Sequence, residues 1–284
     1  MRVTMQIQND VISNIQKRLR NNKVCIKIYS ILKWHERFYA IKRFLFLDKL
    51  MRENNFILRM RKGTSIYLPY YKTDLIQKEI ARTRNFFEKD ILDTIAKALP
   101  TPRKGIFLDI GSNIGNHTLY LFQNDLIQSA YCFEPVQDTF RILKKNISIN
   151  NLQNKVKLFN VGVGKSHGTA QIASYSKENT GMSQLKISND GNIPIIAIDD
   201  INFDYDISFV KIDVEGFELN VIKGMLGTIK KYKPTLFIEI RNQFFDDICK
   251  RLTPVGYKYL KFDEGDSNSN VNNYLFFIAN EEQL

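Results

Sequence analysis

From residue 105 onward, short apolar runs alternate with longer amphipathic stretches. Residues 105–110, 129–134, 155–161, 193–198, 207–213 and 234–240 read as strands, and 115–124, 136–149, 216–231 and 243–252 as helices. That βαβ alternation predicts an α/β fold with an open, mostly parallel sheet. The end of the chain differs. "GYKYLKFD" (256–263) and "NNYLFFIAN" (272–280) are two strands with only a polar loop between them. Without a crossover helix they must pair antiparallel.

Upstream, residues 56–71 suggest a short hairpin turning at Lys62-Gly63, and 73–99 read as helix with Thr73 as a candidate N-cap. Pro100 and Pro102 mark a break before the main alternation. Residues 10–52 lack Gly and Pro and read as basic amphipathic helix. The expected organisation is a basic helical extension over 1–62, a lead-in hairpin and helix over 63–104, and an α/β domain over 105–284.

Charge sharpens this division. Residues 1–62 hold 15 Lys/Arg against 4 Asp/Glu, which accounts for the whole formal net charge of +11. A neutral globular body with a basic appendage follows. The appendage is open to two readings: contact with an anionic membrane face, or a helix capping the main domain with its basic side solvated. No apolar run reaches the length of a membrane span, and "MRVTMQIQND" lacks a secretory core. Three cysteines without metal-ligand spacing point to reduced thiols in a cytoplasmic protein.

Candidate chemistry collects where strands end. In open parallel sheets, ligands bind outside the carboxyl ends of the strands. "FLDIGSNIGNHTLYLF" (107–122) reads as a strand ending at Asp109, a turn with Gly111 and Gly115, and a helix. Its spacing is not the G-x-G-x-x-G of a dinucleotide site. Asn113 tolerates positive φ and can also bond a ligand. A carboxylate beside the turn would repel a pyrophosphate and suits a ligand with an ammonium or sulfonium charge. "AYCFEP" then sets Glu134 at the end of the next strand, where a carboxylate can accept from both hydroxyls of a ribose. "FVKIDVEGFELNVIKG" (209–224) brings Asp213, Glu215 and Glu218 to a strand-to-helix junction, and "TLFIEI" repeats the arrangement with Glu239. Acids at the ends of neighbouring strands can share a divalent cation or a proton. Glu218 has the plainer reading of an exposed helix charge.

Taken in order, "FLDIGSNIGNHTLYLF", "YCFEPVQDTFRILKKNISINN", "NTGMSQL", "AIDDI" and "VKIDVEGFELNVIKGM" resemble the FkbM family of S-adenosylmethionine-dependent methyltransferases, over about residues 63 to 245. The resemblance implies a class I, Rossmann-like methyltransferase fold with an antiparallel seventh strand, and O-methylation of a sugar or related hydroxyl. By position it implies that Asp109, Gly111, Asn113 and Gly115 line the methionine part of S-adenosyl-L-methionine, with Glu134 on the ribose. Backbone and apolar groups of Val161, Gly162 and Val163 would meet the adenine.

For catalysis, Asp213 is the first candidate for base or metal ligand and Glu239 the second, with Mg as a candidate cation. His117 either faces the cofactor and acts as a base, or is a helix-start residue bonded to backbone. The loop 176–185 is a candidate cover for the substrate. Two other functions compete with small-molecule or glycan O-methylation. One is an RNA methyltransferase using the basic N-terminus, although no RNA-binding module is visible and nucleic acid is the weaker partner. The other is a non-catalytic cofactor-binding protein in envelope-glycan assembly.

Overall fold

A computed structural model describes residues 42, 46–60, 62–99, 105–174, 183–262 and 270–278. The chain divides into two compact units, Met1–Phe56 and Ile57–Leu284. Of the helical extension expected over 10–52, residues 42 and 46–52 are helical and the greater part lies outside the described residues.

The second unit opens with an antiparallel hairpin, β1 (Ile57–Arg59) and β2 (Ser65–Tyr67). The expected single helix over 73–99 is two, α1 (Leu75–Thr83) and α2 (Lys89–Ala98). Arg84 and Glu88 both take the left-handed conformation, and no Gly or Pro advertises the break. The N-cap is Asp74 rather than Thr73. Its carboxylate accepts from the Gln77 backbone N–H at 2.9 Å, a cap of about 1 kcal/mol.

The main sheet contains β3 (Ile106–Ile110), β4 (Ser129–Phe133), β5 (Val156–Phe159), β10 (Ile207–Ile212), β11 (Thr235–Arg241), β12 (Tyr257–Phe262) and β13 (Val271–Ile278). Its order is β12-β13-β11-β10-β3-β4-β5. The five strands from β11 to β5 are mutually parallel. β13 pairs antiparallel with β12, as the helix-free ending predicted, and it lies between β12 and β11, antiparallel to both. Each residue of β3 is buried, because helices cover both faces of a parallel sheet. Phe107 and Phe209 stack at 5.1 Å across β3 and β10, fixing one layer of that core. The fold is the α/β, mostly parallel sheet that the alternation predicted, and of the Rossmann-like kind that the resemblance implied.

Two helices follow the strands that carry the first chemistry, α3 (Asn116–Gln123) after β3 and α4 (Gln137–Ile149) after β4. The stretch expected as one helix over 216–231 breaks at Gly224 into α5 (Glu218–Lys223) and α6 (Leu226–Tyr232). α7 (Asn242–Leu252) closes the series.

One strand belongs elsewhere than expected. Residues Ile193–Ile196 form β9 of a separate four-stranded sheet with β6 (Gly162–Val163), β7 (Gly168–Ser174) and β8 (Gln184–Ile187), in the order β6-β9-β7-β8. The burial of β9 explains this. Ile193 and Ile195 are buried while Pro194 is exposed, so only one face is covered, unlike a central parallel strand.

Candidate active site

The glycine turn after β3 is built by close backbone approach. Gly111 has φ 79°, and a Cβ there would lie 1.8 Å from the Asp213 carbonyl oxygen, so any side chain is excluded. The Gly111 and Ser112 N–H groups both donate to the Phe133 carbonyl at 3.0 Å, tying the turn to the end of β4. Asn113 takes positive φ, 49°, as its residue type allows. Its backbone N–H donates to Glu134 Oε2 at 2.9 Å, and Val136 N–H donates to Oε1 at 2.8 Å. Two lone-pair positions of that carboxylate remain for a ligand.

Gly111, Asn113, Glu134, Val161 and Gly162 line one cavity of about 330 Å³, a size suited to a small molecule. Two of the expected cofactor residues stand behind its wall. Asp109 is fully buried and accepts from Thr118 Oγ1 at 2.6 Å, while its Oδ1 finds no hydrogen-bond partner. Gly115 packs against Leu143, at the start of α3. Burial holds the Asp109 carboxyl above its ordinary range in spite of the nearby Lys211 ammonium. Burial also pushes Glu134 up to about 7, outweighing its two backbone hydrogen bonds.

The same cavity continues past the ends of β10 and β11, where His117, Asp213, Glu215 and Glu239 converge. The Asp213 and Glu239 carboxyls are hydrogen-bonded to each other. The Asp213 charge and burial push Glu239 far above the usual carboxylate range. Burial alone would raise Asp213 too, but the Lys211 ammonium and the hydrogen bond from Glu239 hold it low. One proton therefore rests between two acids, on the Glu239 side.

The metal expectation for Asp213 and Glu239 is not supported. The two carboxyls already bind one another, and Lys211 Nζ stands 3.1 Å from Asp213 Oδ2. Among the described residues no group of three or more His, Cys, Asp or Glu side chains could hold a metal ion.

His117 lines the cavity, and its Nε2 is buried without a hydrogen-bond partner. Burial and the Lys211 ammonium push its pKa down to about 3, so the ring is neutral at physiological pH. Glu218 is corrected from an exposed helix charge to a buried one. Its Oε1 accepts from the Gly216 N–H at 2.5 Å, as an acid in a first helical turn readily does.

Residues 109–259, just over half of the chain, match the Methyltransferase FkbM domain. The chain belongs to the FkbM methyltransferase family. It is 25% identical over 167 residues to Methyltransferase 1 of Beauveria bassiana, covering 49% of this chain and 66% of that one. It is 26% identical over 157 residues to the hexuronic acid methyltransferase AglP of Haloferax volcanii, covering 54% and 63%. The matched segments thus span just under two thirds of these relatives. A solved FkbM methyltransferase from Methylobacillus flagellatus aligns over 61% of this chain and 43% of its own, at 20% identity and a TM-score of 0.47.

Among the charged residues lining this FkbM domain's cavity, Lys211 and Glu88 are not ones to which the sequence motifs pointed. Lys211 sits inside the apolar run "FVKID", where a lysine in a buried strand is itself a signal. Glu88 gave none. It reaches the cavity because Asn116, at the start of α3, holds Phe87 from both sides, accepting from its N–H at 3.0 Å and donating to its carbonyl at 3.1 Å. Of the loop 176–185, Ser183 and Leu185 line the cavity, and residues 176–182 lie outside the described residues.

Proposed function

We propose that this FkbM methyltransferase uses S-adenosyl-L-methionine to O-methylate a hydroxyl of a sugar or related small molecule. The observation that carries the reading is one cavity lined by Glu134, the Gly111 turn and the Asp213–Glu239 pair together. The residues fit the cofactor by their chemistry. An Asn113 Oδ1 without a partner and a carboxylate with spare lone pairs, both lining the cavity beside the glycine turn, suit a cationic, ribose-bearing ligand. When bound, that cofactor supplies an activated methyl group on a sulfonium.

The chain's own groups align the acceptor hydroxyl and take its proton. As the oxygen forms its bond to carbon, the hydroxyl proton becomes strongly acidic, so the ionised Asp213 suffices to receive it. The proton ends on the Asp213–Glu239 pair and leaves to solvent between turnovers. Neutral His117 lies on the same wall and can orient the hydroxyl through its Nε2.

An RNA substrate is disfavoured by the cavity lining, where the acids Glu88, Asp213 and Glu215 outnumber Lys211 even with Glu239 protonated, and would repel phosphate. The relative that methylates a hexuronic acid supports a sugar-type acceptor. No helix among the described residues is long and apolar enough to cross a membrane. The suggested contact of residues 1–62 with an anionic membrane falls largely outside the described residues. Mass-spectrometric screening of glycans with cofactor tests the reading. A gain of one methyl group on a hydroxyl is expected, and methyl gain only on nitrogen or on RNA would overturn it.

A further inference from the structure

Lys211 is a lysine where the fold wants an apolar side chain. It lies in β10 between Val210 and Ile212, both fully buried, and is itself 3% exposed. A buried ammonium persists only when its surroundings satisfy it. Here Nζ donates to the Gly111 carbonyl at 2.9 Å and lies 3.1 Å from Asp213 Oδ2 and 3.9 Å from Asp109 Oδ1. Across the sheet, Lys211 pairs in register with Asp109 of β3 and with Phe237 of β11. Asp213 in turn is hydrogen-bonded to Glu239, near the end of β11. One ammonium thus joins three strand ends.

We propose that Lys211 is a positioning residue: it ties the glycine turn on the cofactor side to the Asp213–Glu239 pair on the acceptor side. Its contact with Asp213, and not with Glu239, decides which of the two acids bears the charge. The shared proton is left on Glu239, and Asp213 is held ready to receive another. The carbonyl of Gly111 accepts from the same ammonium, so the turn and the acid pair are set by a single group. The other titratable and charged groups facing this cluster are His117 from α3, Asp109 from β3, Cys132 from β4 and Glu134 after it, Glu88 before α2, Glu215 and Glu218 after β10, and Arg241 from β11. Burial would strip Lys211 of its proton, and Asp213 and Asp109 overcome that tendency.

The kinetic consequence rests on the proposed methyl transfer, whereas the titration does not, so the two can fail separately. The first measurement is carboxyl ¹³C titration of Asp213 in the unliganded protein, wild type against K211M and K211R. Removing the cation is expected to move the Asp213 midpoint upward by at least one pH unit in K211M, with K211R close to wild type. The second is the pH profile of kcat. K211M is expected to lose 10- to 100-fold in kcat and to show its acid limb shifted upward, with acceptor KM within about threefold of wild type. K211R is expected to restore the limb.

An Asp213 midpoint unchanged in K211M overturns the proposal. So does a loss confined to acceptor KM, which would make Lys211 a substrate contact. If K211M does not fold, the double variant D109N/K211M, which removes the second buried acid, is titrated instead, with D109N as its reference. An unshifted Asp213 there overturns the proposal equally. A shifted midpoint in a protein that methylates nothing would sustain the positioning role while refuting the proposed function.

Discussion

Gly111 and Asp213 are pressed so closely together that a Cβ on the glycine would sit 1.8 Å from the aspartate's carbonyl oxygen. This contact joins the ends of β3 and β10, the two strands that lead into the glycine turn and Asp213. Gly111→Ala must open that contact and also force an L side chain to φ 79°. We expect a loss of about 3 kcal/mol or more, seen as a fall in Tm of roughly 6–12 °C, with cofactor binding abolished. An alanine variant with unchanged Tm and unchanged calorimetric affinity would contradict the close approach.

Glu134 gives a pH dependence with a definite sign. Its carboxyl is raised from 4.5 to about 7 in the unliganded protein, chiefly by burial. The shift makes the folded protein less stable as pH rises from 4.5 through about 7. A ligand that needs the ionised form as acceptor therefore binds more tightly as pH rises toward 7, and the gain levels off above it. Calorimetry with S-adenosylhomocysteine between pH 5 and 9 should follow that course. Glu134→Gln should bind roughly 10- to 100-fold more weakly, losing charge-assisted hydrogen bonds, and its affinity should be flat with pH.

The two carboxyls of the pair should respond unequally to substitution. Asp213→Asn removes the group that receives the proton, and kcat is expected to fall by about 10²–10⁴. Glu239 carries the shared proton and donates to Asp213, a bond that the glutamine amide of Glu239→Gln can still make. Its kcat should fall by less than about tenfold, since no positioned base is lost. Equal losses in the two variants would reject the assignment of the proton.

Chelation tests the same geometry from another direction. With Lys211 Nζ at 3.1 Å from Asp213 Oδ2, the pair already has its counter-charge. Methyl transfer should be unaffected by excess EDTA and unaltered by added Mg²⁺. Loss of activity on chelation, restored by metal, would count against a proton-sharing pair.

The sequence was most legible where the structure is most buried. Strands β3, β4, β10 and β11 are covered on both faces, so "IFLDI" or "TLFIEI" stands out as an apolar run. Asp109, Glu134, Asp213 and Glu239 were visible as acids interrupting such runs. The second sheet was harder to see, because β6 and β9 are short and β9 buries one face only. The break between α1 and α2 was hidden for another reason. Arg84 and Glu88 adopt left-handed backbone without the residue types that usually mark it. The place of Phe87 and Glu88 at the cavity depends on Asn116, 29 residues away in the chain, and no local pattern encodes such a contact.

The reversed strand β13 has a consequence for how the molecule comes into being. It inserts between β11 and β12, so β12 has no partner in the sheet until residues Val271–Ile278 arrive. On the ribosome, the nascent polypeptide can assemble its earlier strands as they emerge, but that edge stays open until the last of these residues clears the exit tunnel. Before then, β11 presents an unpaired edge to other chains. Translation stalled upstream of residue 271 should release a product prone to aggregate.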